Sequence, residues 1–284
     1  MVWNSPKPLD LRQRNKRFGM NRPLLLRISP PELRAALYYR WYRSRRAKWR
    51  ALFDDAPLDL APNFKMKLSE TDEAHGEIAF TGFYELALSR RFVTEARAGG
   101  LLVDVGANYG YFSLLWLGRR PGNQVIAFEA SPRNHAPLRA NIARNNCESR
   151  VQLHELALGT AAGTAQFSLG DEGQTGWGGI VKGGGAAEVT VQVNTLDQMI
   201  GPSVTVDLLK IDVEGADSWV LQGARRLLTE KRVRNIYFEQ NRPRMSALGI
   251  GEDEAMKFLQ SVGYKASVLS GEGTEVVEYQ AQPA

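Results

Sequence analysis

The sequence offers a single cysteine, Cys147, and only three histidines, His75, His135 and His154, among 284 residues. One thiol can form neither an intramolecular disulfide nor a thiolate zinc site, and it suits a reducing compartment. Three histidines isolated from one another argue against a multi-histidine metal centre. Long hydrophobic runs are missing as well: stretches such as Leu24–Leu26 fall far short of the roughly 18–20 apolar residues that a membrane-spanning helix needs. The opening Met1-Val-Trp-Asn-Ser-Pro-Lys-Pro lacks the apolar core and cleavage site of a secretory signal, so a cytoplasmic protein is expected. Nor is the composition that of a disordered chain, with 43% hydrophobic and 24% charged residues.

Charge is present but unevenly placed. Residues 1–50 hold 14 basic and two acidic side chains, a net +12, against −7 for the remainder. The chain therefore divides into a basic extension, 1–60, and a main domain, 61–284. Residues 1–30 read as irregular. From Pro31 the apolar residues Leu33, Leu37 and Trp41 recur every four positions, flanked by Tyr38, Tyr42, Trp49 and Phe53, and arginine fills most of the rest. This predicts a basic, aromatic-rich amphipathic helix over 31–53. Two readings stand for it: packed on the main domain with its arginines outward, or lying on an anionic membrane surface at the inner membrane face. No dedicated RNA-binding motif accompanies the charge, so nucleic acid is not the expected partner.

Beyond residue 100 strands and helices alternate. Leu101–Gly106, Gln124–Ala130, Val151–Leu158, Val206–Val213 and Arg234–Glu239 read as buried strands, with helices at 109–118, 132–146, 216–231 and 252–262 and two short strands at the end. Thr164–Leu169 and Glu188–Val193 read as a further pair around the glycine-rich run 170–187, a candidate lid. The predicted fold is a doubly wound α/β sandwich on a mainly parallel sheet.

Such sheets bind ligands beyond the carboxyl ends of their strands. The first strand turns through Asp104-Val-Gly106-Ala-Asn108-Tyr-Gly110, where Gly106 frees the backbone to turn and Gly110 permits close packing. Asn108 replaces the central glycine of a dinucleotide fingerprint, and an acid precedes the turn, which suits a ligand with an ammonium group rather than a diphosphate. Glu129 ends the next strand, 23 residues after Gly106, where a carboxylate can accept bonds from ribose hydroxyls. Together these residues specify an adenosyl ligand with a charged amino-acid tail, S-adenosylmethionine.

The segments VDVGANYGYFSL (103–114), FEASP (128–132), LDQM (196–199) and LLKIDVEGAD (208–217) resemble the FkbM family of S-adenosylmethionine-dependent methyltransferases, over about residues 80–265. The resemblance implies the seven-stranded class I methyltransferase fold and methylation of hydroxyls on sugars or secondary metabolites. It also brings in Tyr84, Glu85, Ala130 and Ala157 as contacts to the cofactor.

Lys210, Asp212 and Glu214 stand at the end of a strand that should be apolar, and buried charge is costly unless it faces a ligand. Asp212 is a candidate base, with Glu214 and Glu239 as further catalytic candidates. Alternatively Asp212, Glu239 and Asn241 form an all-oxygen set suited to magnesium, a possibility ranked below the metal-free base. His75 can line an acceptor site; His135 and His154 read as structural. An N-methyltransferase acting on an amine would use the same cofactor site without strong need of the base.

Overall fold

A computed structural model describes residues 22–171, 173–182 and 189–284, so that residues 1–21 of the basic extension and residues 172 and 183–188 of the glycine-rich region lie outside the described residues. The chain enters through helix α1 (Leu24–Ile28) and α2 (Pro31–Leu37), which starts on a proline whose missing N–H costs nothing there. The helical path continues through a π turn (Tyr38–Tyr42) and a 3₁₀ turn (Arg43–Trp49) into α3 (Ala51–Asp54). The expected helix over 31–53 is thus one path with changes of pitch. Its apolar side lies where the periodicity put it: the rings of Tyr38, Tyr42, Trp49 and Phe53 stand 5.1–6.3 Å from the buried ring of Phe80. Phe80 belongs to α4 (Glu73–Thr81), which follows the short hairpin of β1 (Ala56–Pro57) and β2 (Lys65–Met66). Helix α5 (Leu86–Ala96) leads into the main sheet.

That sheet is built from β3 (Leu101–Val105), β4 (Gln124–Phe128), β5 (Val151–His154), β10 (Val206–Ile211), β11 (Val233–Asn241), β12 (Tyr264–Ser270) and β13 (Val276–Pro283). Its order is β12-β13-β11-β10-β3-β4-β5, parallel except for β13, which runs antiparallel to both neighbours. Helices α6 (Tyr111–Leu117) and α7 (Pro132–Arg144) join the first strands. A second, four-stranded sheet holds β6 (Ala157–Leu158), β7 (Gly163–Ser168), β8 (Gly179–Ile180) and β9 (Val189–Asn194). The expected strand 151–158 is therefore two strands in two sheets, broken at Glu155-Leu156. The expected helix 216–231 is likewise two, α9 (Asp217–Gln222) and α10 (Arg225–Thr229), after the single turn α8 (Leu196–Met199). They part at Gly223, where a Cβ would lie 2.1 Å from the carbonyl oxygen of Gly159. Helices α11 (Arg242–Leu248) and α12 (Glu254–Ser261) complete the set.

On one face, a single apolar cluster runs from Leu26, Tyr38 and Phe53 of the extension to Leu114, Trp116 and Leu208 of the sheet layer. The expected boundary at residue 60 falls inside this cluster. On the other face Val103, Leu209 and Ile236 pack against Leu221, Leu228 and Leu259.

Candidate active site

Sheet order reverses between β3 and β10, one half stepping outward to β4 and β5, the other to β11. The crevice beyond the carboxyl ends of these strands is where such folds place their ligands. Two backbone turns meet there. The Asp212 N–H donates to the Val105 carbonyl at 3.0 Å, and a Cβ on Gly106 (φ +81°) would stand 1.9 Å from the Asp212 carbonyl oxygen. Only glycine allows this contact. Gly110 also has a left-handed φ, +89°, but it faces Leu138 and lines neither cavity described below. This is the close packing expected of Gly110.

Glu129, at the end of β4, is 6% exposed. Its Oε2 accepts the Asn108 N–H at 2.7 Å, while Oε1 accepts the Ser131 N–H at 2.8 Å and the Asn134 side-chain amide at 3.2 Å. Burial raises its pKa and the three donors oppose that rise. His135 binds the Glu129 carbonyl oxygen through Nε2 at 2.9 Å, a structural role. His154 stacks on Phe128, and Glu155 pairs with Arg139 at the surface.

Two cavities flank Gly106, Asn108, Gly176 and Asp212, which line both. The smaller, about 90 Å³, is an apolar slot between Phe128, Ala130, Ala157, Phe167 and Val213, with Glu129 at its polar end. The larger, about 390 Å³, carries Tyr84, Glu85, Glu214 and Glu239 on its wall, together with His75. Tyr39, Tyr109 and Trp177 give this wall aromatic surface.

The wall of the larger cavity holds a buried cation, Lys210. The Lys210 ammonium is 3.1 Å from Asp212 Oδ2, 3.8 Å from Asp104 Oδ1 and 4.9 Å from the centre of the Phe112 ring. Burial works to lower its pKa, but Asp212 and Asp104 outweigh burial and raise it. Asp104 is buried beneath the cavity floor. Its Oδ2 accepts the Ser113 hydroxyl at 2.7 Å, and Oδ1 has no hydrogen-bond partner. Asp104 lines neither cavity itself and is paired with Lys210, which lines the larger one.

Burial first, and then the charge of Asp212, pushes the carboxyl of Glu214 up to about 7, that of Glu85 up to about 8 and that of Glu239 up to about 10. Glu239 therefore holds its proton at neutral pH and can donate a hydrogen bond, whereas a base must be ionised. Glu214 Oε2 accepts from the Asn241 amide at 3.0 Å and pairs with Arg244 at 3.3 Å. The Asn241 side-chain oxygen faces the Arg244 N–H at 3.4 Å, capping α11. Among the described residues no three His, Cys, Asp or Glu side chains are grouped to hold a metal ion. Glu85, Asn108 and Glu214 have φ of +44°, +50° and +56°. Left-handed backbone at three non-glycine positions around one cavity is strain of the kind that functional sites retain.

The described part of the glycine-rich run crosses the junction of the cavities. The Thr175 N–H and hydroxyl both donate to Asp72 Oδ2, at 2.6 and 2.9 Å, and the Thr175 carbonyl accepts from Asn134 at 3.2 Å. Asp72 is 2% exposed, and its other oxygen caps α4 by accepting the His75 N–H at 2.9 Å. Thr175 and Trp177 belong to the expected lid, whereas no sequence motif marks Asp72 or Asn134 as a site residue. Asp72 carries a legible local signal, an aspartate just before a helix, but its partner is 103 residues away.

Residues 104–266, more than half of the chain, match the methyltransferase FkbM domain. The protein belongs to this family. Methyltransferase sdnD of Sordaria araneosa is 29% identical over 173 residues, covering 50% of this chain and 66% of its own. The 31-O-demethyl-FK506 methyltransferase FkbM of Streptomyces tacrolimicus is 38% identical over 79 residues, 28% of this chain and 30% of its own. The 2-O-methyltransferase NoeI of Sinorhizobium fredii is 29% identical over 151 residues, 46% and 60% of the two chains. This chain thus spans between under a third and about two thirds of these relatives. The FkbM domain carries Asp212, Glu129 and the apolar slot, whereas Tyr39, Asp72, His75, Tyr84 and Glu85 come from residues that precede it.

Proposed function

We propose that this methyltransferase transfers the methyl group of S-adenosylmethionine to a hydroxyl of a glycan, a lipid-linked saccharide or a secondary metabolite. The observation that carries the reading is the place of Asp212, on the wall shared by an apolar slot and a larger polar cavity. The residues present fit the cofactor: the slot suits an adenine ring, Glu129 lines it where ribose hydroxyls can donate to a carboxylate, and the acidic wall of the larger cavity suits a ligand that carries positive charge. When bound, the cofactor supplies an electrophilic methyl on a sulfonium leaving group.

The chain's own residues do the rest. Gly106 and Asn108 hold the two cavities in register, so the acceptor oxygen can approach the methyl in line. Asp212 takes the acceptor's hydroxyl proton, oriented by its ion pair with Lys210 at 3.1 Å. Glu239, protonated, donates to an acceptor oxygen, and Glu214 is held away by Arg244 and Asn241. Aromatic faces beside carboxyl groups suit a polyhydroxylated ring, whose C–H faces stack while its hydroxyls donate. The relatives FkbM and NoeI, a 31-O-demethyl-FK506 methyltransferase and a 2-O-methyltransferase, support an oxygen acceptor.

The test is methyl transfer from labelled cofactor into cell-envelope extracts, paired with calorimetry of S-adenosylhomocysteine and NAD. Binding of NAD without binding of S-adenosylhomocysteine would overturn the reading. Asp212→Asn is expected to abolish transfer while leaving cofactor affinity largely intact; an amine acceptor would tolerate it. Activity that survives a chelator keeps Asp212 as a metal-free base, and loss restored by magnesium would assign it to a metal site.

A further inference from the structure

The nine basic residues described between positions 22 and 50 fall into two groups that sequence alone does not separate. Arg22 and Arg34 pair with Asp59, Arg43 and Arg46 with Glu73, and Arg50 with Glu70. These five are tied to the body of the protein. Arg27, Arg40, Arg45 and Lys48 are exposed and have no ion pair among the described residues. The apolar side chains divide in the same way. Tyr38, Leu52 and Phe53 are buried, whereas Leu24, Ile28, Leu33 and Trp41 are 65%, 71%, 54% and 49% exposed. With Tyr39, these make five of the eight exposed large hydrophobic residues among the described residues, gathered into 18 consecutive positions. The one acid exposed among them, Glu32, is paired with Arg90 at 2.6 Å.

We propose that this outward face of residues 24–48 docks on an anionic bilayer surface. Apolar and aromatic side chains interleaved with unpaired arginine and lysine match both layers of such a surface, the acyl boundary and the charged headgroups. A purely acidic protein partner would use the charges but leave Leu24 and Ile28 in water. The inward-tied arginines keep the segment folded on the domain, so docking requires no unfolding of the arm. Tyr39 sits where this face meets the larger cavity. It is 46% exposed, its hydroxyl donates to Glu77 at 3.0 Å, and its side chain lines the cavity wall. An acceptor held at the bilayer would arrive at that edge.

The experiment is co-sedimentation of the full-length protein with vesicles of phosphatidylglycerol and phosphatidylcholine, against vesicles of phosphatidylcholine alone. Binding to the anionic vesicles is expected, weakening about tenfold or more between roughly 0.05 and 0.5 M salt as exposed charges are screened. Leu24→Glu with Ile28→Glu should abolish it, as should Arg40→Glu with Arg45→Glu, while Val268→Glu on the edge strand β12, outside residues 24–48, should not. All these positions are exposed, and an unchanged melting temperature verifies the fold of each variant. Negligible pelleting in every condition overturns the proposal. So does vesicle binding that both double variants leave intact, or conversion of a dimer to a monomer by Leu24→Glu with Ile28→Glu in a protein that ignores vesicles. None of these readings depends on methyl transfer, so the two proposals fail separately.

Discussion

Replacing Glu129 by glutamine keeps the shape of the side chain and removes its charge. In the structure both carboxylate oxygens are committed to donors, Oε2 to Asn108 and Oε1 to Ser131 and Asn134. A glutamine has one oxygen, so its NH₂ group must face one of two backbone N–H groups and leave it unpaired. Turning Asn134 to present its unpartnered oxygen would not help, because the same turn gives up the bond to the Thr175 carbonyl. An unsatisfied buried donor costs about 1–3 kcal/mol, partly offset because a buried charge is removed at the same time. Cofactor binding has no such offset. Two ribose bonds to a carboxylate become at most one good bond to a neutral oxygen, a loss of about 2–3 kcal/mol, or roughly 30–150-fold in Kd. Calorimetric titration with S-adenosylhomocysteine, alongside urea unfolding of the ligand-free protein, separates the two effects. Affinity should fall more than stability. A Glu129→Gln protein that binds S-adenosylhomocysteine as tightly as wild type would refute the assignment of this carboxylate to the ribose.

Gly106→Ala should be among the most damaging single changes: a left-handed φ and a Cβ 1.9 Å from the Asp212 carbonyl force the two turns apart, at about 3 kcal/mol or more by urea unfolding, and disrupt both cavities. Asp72→Ala removes the cap of α4 and both Thr175 contacts, so a loss of about 1–2 kcal/mol is expected together with faster S-adenosylhomocysteine release in stopped-flow displacement. Glu214, Glu85 and Glu239 are held up to about 7, 8 and 10, above their unfolded values, so the native state keeps protons that the unfolded chain gives up. That stabilisation is complete below the ordinary carboxyl range and is lost as pH rises through the folded values. Unfolding free energy of the ligand-free protein should therefore fall from pH 6 to pH 9, and a flat or rising profile would contradict the cluster. Binding of the cationic cofactor at pH 7 should release protons, read as a dependence of calorimetric heat on buffer ionisation enthalpy.

The strands of the main sheet, the turn after Asp104 and the ends of β4 and β10 were legible in the sequence, because each rests on a local rule. Apolar runs become buried parallel strands, glycine permits a left-handed turn, and charges at a strand end face a ligand. The same rules located Glu129, Asp212 and the apolar side of residues 31–53. They failed where a residue's role depends on what lies across space from it. Asp104 belongs to the motif by position, yet only the tertiary structure shows that the buried cation beside it is Lys210, from a strand far along the chain. Strand 151–158 divides because its two halves find partners in different sheets, β4 for the first and β9 for the second. Glu239 is acidic by sequence but neutral by environment, since burial and the four neighbouring carboxyl groups of Asp212, Asp217, Glu214 and Glu85 oppose its ionisation. The arginines of the extension look alike in sequence. Only the positions of Asp59, Glu70 and Glu73 decide which are tied to the domain and which are left facing outward, because an ion pair is fixed by distance in the folded chain and carries no periodic signature.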